Sequence, residues 1–469
     1  MSAQPKIDES FRDHVSTIDE EGKRVWIYPK KPSGPIYRAR TYVSYILLAI
    51  LFATPFIKVN GQPFILLNIV ERKFILFGVP FWPQDLHLFA IAVITFIIFI
   101  ILFTALFGRV WCGWACPQTI FMEMVFRKIE YLIEGDAPQQ RRLNAQPWTK
   151  EKIFKKALKH SIFFAISFLI GNTLLAYIIG IDELWKIVTD PPTQHLAGLS
   201  MMLLFSLAFY GVYARFREQV CTMVCPYGRL QGVLLDPNTI VVAYDFKRGE
   251  PRAPIRKNQP NPNAGDCIDC KLCVQVCPTG IDIRNGTQLE CINCAACIDA
   301  CNGVMEKIGR PKGLIRYASL NSILKGEKLK ITPRIIGYTV IFLALFSLLS
   351  YLIFTRSPVE AAVLRTPGVL AKENPDGTIQ NLYNVRIVNK SFRTYPVHLE
   401  LLQPKGELVM VTGKYLKLPP DGMVESAFFI KIPKSEITAP KMKVIIGVFN
   451  DTTLLEKVKT GFISTPLQQ

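Results

Sequence analysis

Long apolar stretches separated by charged loops dominate the first three quarters of the chain. Tyr42–Ile57, Leu86–Phe107, His160–Ile181, Leu196–Ala214 and Ile335–Phe354 are almost free of charge. A helix needs about twenty apolar residues to cross a hydrocarbon core about 30 Å thick. The last four stretches meet that length, and the first is short and lies at the margin. The pattern therefore predicts about five transmembrane helices, since a helix buried in a soluble protein normally keeps one polar face. The first 41 residues are polar and hold no apolar core of a signal peptide, so the first span is expected to remain as an anchor.

The period changes after residue 354. Asn381–Val388, Pro396–Leu402, Ser426–Ile432, Lys443–Phe449 and Glu456–Phe462 are short β-rich runs, several of them alternating. Pro375-Asp376-Gly377, Pro404-Lys405-Gly406 and Pro419-Pro420-Asp421-Gly422 supply the turns. This predicts a C-terminal immunoglobulin-like β-sandwich. It shows no catalytic constellation, and its one histidine, His398, is expected at the surface.

Charge changes the picture by its placement. The chain of 469 residues is half hydrophobic and carries a net charge of +18. Lys and Arg number 8 in residues 1–41, 10 in 108–159 and 18 in 215–334, against 3 in 58–85 and 1 in 182–195. Alternate loops are basic, as the positive-inside rule requires, so topology accounts for the charge without nucleic acid. The expected organisation is a cytoplasmic tail (1–41) and a transmembrane region (42–250). A ferredoxin-type unit with its flanking linker (251–334), a last transmembrane helix (335–354) and an outer, periplasmic β domain (355–469) follow. Pro251–Asn263, proline-rich and polar, reads as the linker. All twelve cysteines fall in or beside the inner segments, where a reducing compartment keeps thiols free for metal.

The cysteines carry the chemistry. Cys267, Cys270, Cys273 and Cys277 form C-x2-C-x2-C-x3-C before Pro278, and Cys291, Cys294, Cys297 and Cys301 repeat the spacing, with Asn302 where a proline often stands. Structural zinc favours two separated pairs, whereas a triple with a trailing fourth cysteine suits a [4Fe–4S] cubane. In two-cluster ferredoxins the fourth ligand is exchanged between motifs. Cluster one would then take Cys267, Cys270, Cys273 and Cys301, and cluster two Cys291, Cys294, Cys297 and Cys277.

A third group is an internal repeat. Cys112 and Cys116 precede Pro117, and Cys221 and Cys225 precede Pro226, so both read C-x3-C-P after a membrane run. Residues four apart on a helix share a face, and the proline marks a kink or helix end at each second cysteine. Brought together, the pairs would offer four thiolates to Cu(I), zinc or an iron–sulfur centre. Met122, Met124, Met201, Met202 and Met223 are weaker candidates, being ordinary packing residues in membrane helices. His87, His160 and His195 lie near span ends without the spacing of a haem pair. No C-x-x-C-H, phosphate-binding loop or hydrolase signature occurs.

With these pieces placed, the chain resembles the CcoG family of cytochrome c oxidase accessory proteins, also called FixG or RdxA. The resemblance rests on Trp111–Phe121 (WCGWACPQTIF), Cys225–Gln231 (CPYGRLQ), Tyr244-Asp245 with Arg248-Gly249-Glu250-Pro251, the double ferredoxin motif and the final β domain. The C-x3-C-P pairs are also similar to membrane iron–sulfur carriers of the NapH and NosR kind, which lack that last domain. The resemblance implies two [4Fe–4S] clusters in a multi-pass protein of the cell inner membrane. It implies reduction of Cu(II) to Cu(I) during assembly of cbb-type cytochrome c oxidase, with copper as substrate at or near Cys112, Cys116, Cys221 and Cys225. The expected partners are oxidase assembly factors or a copper chaperone, a cytoplasmic electron donor, membrane lipid and a second copy of the chain. A relay of quinol or flavin electrons and a scaffold without redox turnover are the competing readings.

Overall fold

The computed structural model describes residues 16–19, 21–59, 61–69, 73–82, 85–255, 262–327, 331–367, 371–413 and 415–464. Residues 256–261 of the expected linker lie outside that set. The chain forms two compact units, Met1–Pro55 with Ile91–Phe346, and Phe56–Ala90 with Ser347–Gln469.

Among the described residues, five helices are long and apolar enough to cross a membrane: Pro35–Phe56, Leu86–Phe107, Lys150–Ile179, Leu196–Phe216 and Pro333–Phe354. Two begin well before their apolar runs. Pro35 occupies the first helical turn, where its missing N–H costs nothing. Asp299 caps that turn, accepting from the backbone N–H of Tyr37 at 2.8 Å and of Ile36 at 3.3 Å. A Cβ on Gly34 would lie 2.3 Å from Asp299 Cγ, so this close approach needs glycine. The third helix starts at Lys150 because the Thr149 hydroxyl accepts from Lys152 N–H at 3.3 Å, and its charged first turns extend beyond the apolar run. It packs on the fourth helix, where Gly171 faces the backbone of Ser206. Small residues of this kind let membrane helices approach closely.

The first unit also holds the cysteine-rich segment. Strand Val241–Tyr244 pairs antiparallel with Ile315–Ala318, and together they close over the two ferredoxin motifs.

The second unit contains the expected sandwich. One sheet runs in the order Glu407–Met410, Met423–Pro433, Thr378–Asn389, Val359–Arg365, with Lys372–Glu373 beside Thr378–Asn389. The other runs Leu416–Leu418, Tyr395–Gln403, Lys441–Asn450, Thr453–Ile463. Alternate residues of both sheets (Tyr383, Val385, Phe428, Ile430, Val444, Ile446) face one core. Each such buried side chain contributes about 2 kcal/mol of transfer free energy. Tyr383 is fully buried, and its hydroxyl donates to Gly461 O of the opposite sheet at 2.8 Å. His398 departs from expectation. It is buried, stacked on Phe449 and edge-on to Tyr415, and its Nε2 lies 3.2 Å from Glu400 Oε1. His398 alternates with the core residues Val397 and Leu399 and so faces away from the shared core, where Phe449 and Tyr415 cover it.

Sequence reasoning also missed a small sheet between the first two spans, Ile65–Asn68, Lys73–Leu76 and Val79–Phe81. It belongs to the same unit as the sandwich. Asp85, at its end, is 2% exposed and accepts from Lys390 Nζ and Arg356 Nη2, each at 2.6 Å. Burial acts to raise the Asp85 carboxyl, but Lys390 and Arg356 outweigh it and hold the pKa below the usual carboxylate value. A depressed pKa contributes stability at neutral pH that is lost as pH falls through the folded-state value. Asp85→Asn should therefore weaken the attachment of this sheet by about 3 kcal/mol, since it leaves Arg356 without its carboxylate, while Lys390 keeps Glu360. Hydrogen exchange of residues 73–81 should rise at pH 7, and the difference from the parent should shrink on acidification.

Candidate metal centres

The two ferredoxin motifs adopt one backbone form. Asp269 and Lys271 in the first, and Asn293 and Ala295 in the second, have φ of 51°, 54°, 51° and 61°. These occupy equivalent places between the cysteines. Each left-handed residue without a glycine's freedom costs about 1–2 kcal/mol. The matching strain in both loops marks a conformation retained for binding. Helices Leu272–Gln275 and Ala296–Lys307 follow the loops; the first carries Cys273, with Cys277 just beyond it, and the second carries Cys297 and Cys301.

The loops enclose two hollows. Cys267, Cys270, Cys273 and Cys301 line one, with Tyr244, Met305 and Ile315. Cys277, Cys291, Cys294 and Cys297 line the other, together with Cys273 and the apolar Val242, Ile281 and Ile292. Each motif thus sends its last cysteine toward the other motif's hollow. Cys270 is exposed, whereas Cys267, Cys273 and Cys294 are buried. Burial is the first cause that pushes the thiols of Cys273 and Cys291 up to about 12, and those of Cys294 and Cys301 up to about 11. Thiols so buried become thiolates when a metal replaces the proton, so loading releases protons. Four sulfurs per hollow in apolar surroundings fit the [4Fe–4S] donor set. Asn302 fills its departure from the motif differently: its side chain accepts from Gly313 N–H at 2.8 Å.

The C-x3-C-P pairs also converge. Cys116 and Cys225 are in extended conformation and each opens a proline-led helix, Pro117–Ile120 and Pro226–Leu234. The expected helix ends are therefore present. The shared α-helical face is not: Cys112 lies in Val110–Trp114, which stops before Cys116, and Cys221 lies in the π-helical turn Val220–Val224. The proline removes the geometry that an unbroken helix would need. The four sulfurs nonetheless influence one another electrostatically, although among the described residues no three of them stand ready around a single metal ion. Burial, opposed by Arg109 and reinforced by Cys116 and Cys225, pushes Cys112 up to about 11. Burial and then the other three thiols push Cys221 up to about 12. Cys112 Sγ donates to Gln231 Oε1 at 2.8 Å, and Gln231 is held by Arg109 Nε at 3.3 Å. A Cβ on Gly228 would come within 2.7 Å of Cys221 O, so glycine is required where the second pair turns.

This site shares a wall with the second hollow. A Cβ on Gly113 would lie 2.3 Å from Ile292 O and 3.0 Å from Cys294 N. Cys112 packs in one apolar group with Ile292 and Cys294. Arg40 Nε donates to Gly113 O at 2.6 Å, Trp114 Nε1 to Tyr317 OH at 3.2 Å, and Tyr317 OH to Asn293 O at 2.9 Å.

A buried ion-pair network holds the surrounding segments. Arg127, 2% exposed, lies 3.3 Å from Glu123 and 3.6 Å from Glu218. Arg24 reaches Glu218 at 2.9 Å, and Arg217 bonds Glu130. The methionines do not form a thioether set: Met122, Met124 and Met202 are buried packing residues, and Met201 and Met223 are exposed. His195 pairs with Asp190 at 2.9 Å, and His160 Nδ1 lies 2.9 Å from Tyr210 OH.

The fold and the donor sets define the class: an iron–sulfur protein with five helices apolar enough to span a membrane, suited to redox electron transfer. A 4Fe–4S dicluster family matches residues 216–320, and a 4Fe–4S binding domain matches 89–134. The immunoglobulin-like fold found at the C-terminus of FixG matches 349–465. Protein RdxB of Cereibacter sphaeroides is 37% identical over 91% of this chain and 90% of its own. Protein RdxA of the same organism is 37% identical over 78% and 80%. Nitrogen fixation protein FixG of Rhizobium meliloti is 32% identical over 88% and 87%. The chain belongs to the FixG/RdxA family.

Gly113→Ala should force the Cys112–Cys116 loop away from the Ile292–Cys294 backbone, since no flexible side-chain end is available to yield there. The expected outcome is loss of about half of the bound iron per chain, with the loss confined to the second hollow. Iron analysis and the paramagnetic spectrum of oxygen-free protein check it.

Proposed function

We propose that the protein is a cupric reductase of the cell inner membrane that supplies Cu(I) during assembly of cbb-type cytochrome c oxidase. The observation that carries the reading is the wall shared by the four-cysteine site and the second hollow, at Gly113 against Ile292 and Cys294. Cys267, Cys270, Cys273 and Cys301 hold one [4Fe–4S] cluster, and Cys291, Cys294, Cys297 and Cys277 the other. When bound, these clusters supply single electrons. The chain's own residues do the rest. Cys112, Cys116, Cys221 and Cys225 form a soft donor set that favours Cu(I) over Cu(II), so gain of one electron strengthens binding of the substrate ion. Gln231 orients the Cys112 sulfur, and Arg109 offsets the negative charge of the gathered thiolates. The apolar neighbours of Cys112 keep water from the wall between the sites.

The alternation of basic loops supports a cytoplasmic N-terminus and cluster region with a periplasmic β domain. Oxidase assembly factors or a copper chaperone then take the reduced ion.

A second reading is favoured by the 4Fe–4S binding domain matched over 89–134, which contains Cys112 and Cys116. In that case the four cysteines hold a further cluster and the protein is a relay to a partner complex.

Dithionite-reduced, oxygen-free protein should be reoxidised by one equivalent of Cu(II) per electron held. Cys112→Ser with Cys221→Ser should slow that reoxidation at least about tenfold while leaving about eight iron per chain. Unchanged rates in the double variant would remove copper from the site. About twelve iron per chain in the parent, falling to about eight in the variant, would select the relay.

A further inference from the structure

The first unit contains a cavity of about 570 Å³ that none of the chemistry above uses. It lies where the third span begins and the fourth ends, so both helices present the same membrane end to it. Trp26, Tyr28, Phe163 and Tyr210 give it aromatic walls; Glu134, Lys156, His160 and Arg217 give it polar ones.

Three observations mark it as built for a ligand. Arg217 is 5% exposed, its Nε has no hydrogen-bond partner, and it lines the cavity. Its backbone has φ of 53°, costly for a long side chain and held in place by the flanking π-helical turns Val212–Phe216 and Val220–Val224. His160 Nδ1 and Tyr210 OH form a hydrogen-bonded pair at 2.9 Å on the cavity wall.

The occupant's chemistry follows from what is already paired. Lys156 lies 2.8 Å and Lys159 2.9 Å from Glu134, and Arg217 bonds Glu130. Lys156 and Lys159 share one carboxylate, Arg217 is engaged by Glu130 and Arg215 lies over the Trp26 ring, so the cations of the wall are already held and its aromatic faces favour a neutral ring with polar edges. Phe164 and Leu207, on the same two helices, are exposed and offer a lipid-facing surface for an apolar tail.

The cavity is also joined to the sulfur sites. Phe163 meets Phe126 with ring centroids 4.8 Å apart, and Phe126 stacks on Tyr213 at 4.3 Å. Tyr213 is within electrostatic reach of Cys116 and Cys221. A short path of packed rings therefore leads from the cavity wall toward the C-x3-C-P cysteines, whose loop crosses the second hollow at Gly113.

We propose that this cavity binds a lipid-soluble hydroquinone and is the entry point for electrons, in place of the cytoplasmic donor expected from the sequence. The inference rests on the reading above only in taking the clusters as redox active. Oxidation of one hydroquinone to quinone breaks two O–H bonds and releases two electrons and two protons. The eight ferredoxin cysteines would hold the centres that take one electron each, and the two protons would pass by way of His160 to water. One hydroquinone thus serves two Cu(II) ions, giving two Cu(I).

The test uses full-length protein in detergent, oxygen-free, with clusters pre-reduced by dithionite and the excess removed. A short-tailed benzoquinone is mixed in and the visible absorbance of the clusters is followed. Reoxidation should saturate with quinone concentration. His160→Gln with Tyr210→Phe should raise the half-saturating concentration about tenfold, as loss of two hydrogen bonds predicts. Ferricyanide, which needs no cavity, should reoxidise parent and variant alike. In a second measurement the oxidised quinone should quench tryptophan fluorescence in the parent but not in Trp26→Phe. Unsaturable reoxidation with unchanged rates in the variant, or quenching that survives Trp26→Phe, would overturn the site; a cavity filled by a phospholipid headgroup gives that result. Failure of dithionite to reduce any cluster would overturn the redox reading as well, and so is distinguishable.

Discussion

The metal centres depend on one contact: the backbone of the first C-x3-C-P loop lies directly against the backbone of the second ferredoxin loop. Gly113 has no side chain, and the space a methyl group would need is taken by Ile292 O and Cys294 N. Electron transfer between separate centres requires closeness, and closeness of two backbones requires a glycine at the crossing. Arg40 completes the contact by donating to Gly113 O, so a buried charge is tied to the same point. Twelve cysteines from four stretches of chain become two hollows and one four-sulfur site because these loops cannot separate without exposing buried charge and apolar surface.

That arrangement stores cost in several places. Four non-glycine residues sit at positive φ in the ferredoxin loops, and Arg217 does so beside the second C-x3-C-P pair. Eight or more charged side chains around Arg127, Glu130, Glu134 and Glu218 are drawn out of water. Buried ion pairs of this kind add little net stability compared with apolar packing, but removing one partner is costly. Their effect is to fix the relative positions of the segments that carry the thiols. The sandwich in the other unit shows the opposite economy: alternating strands, one continuous apolar core and no cysteine.

What the sequence revealed tracks how local each cause is. The cysteine spacings were legible because each motif brings three ligands from one loop, and the strand runs were legible because alternation with Pro-Asp-Gly and Pro-Lys-Gly turns is a short-range signal. Leu86–Phe107 was read without error, since its ends coincide with its apolar run. The helix starts at Pro35 and Lys150 were not, because Asp299 supplies the first cap from a distance and charged residues fill the early turns of the third helix. The convergence of Cys112, Cys116, Cys221 and Cys225 was suggested by the repeat, but their helical face was wrong, since proline ends one helix and π-turns replace the other. The burial of His398 and the cavity beside His160 come from tertiary contacts that no window of sequence contains, whereas strands Ile65–Asn68, Lys73–Leu76 and Val79–Phe81 pair with near neighbours in the chain but are too short for their alternation to stand out.

The most direct test is the spectrum of the metal itself. Full-length protein purified without oxygen and reduced with dithionite should give about eight iron and eight inorganic sulfide per chain. Its Mössbauer spectrum should show two [4Fe–4S] sites, and its paramagnetic resonance the splitting of two spins held a short distance apart. Protein containing zinc in place of iron, or giving no paramagnetic signal after reduction, would contradict the account.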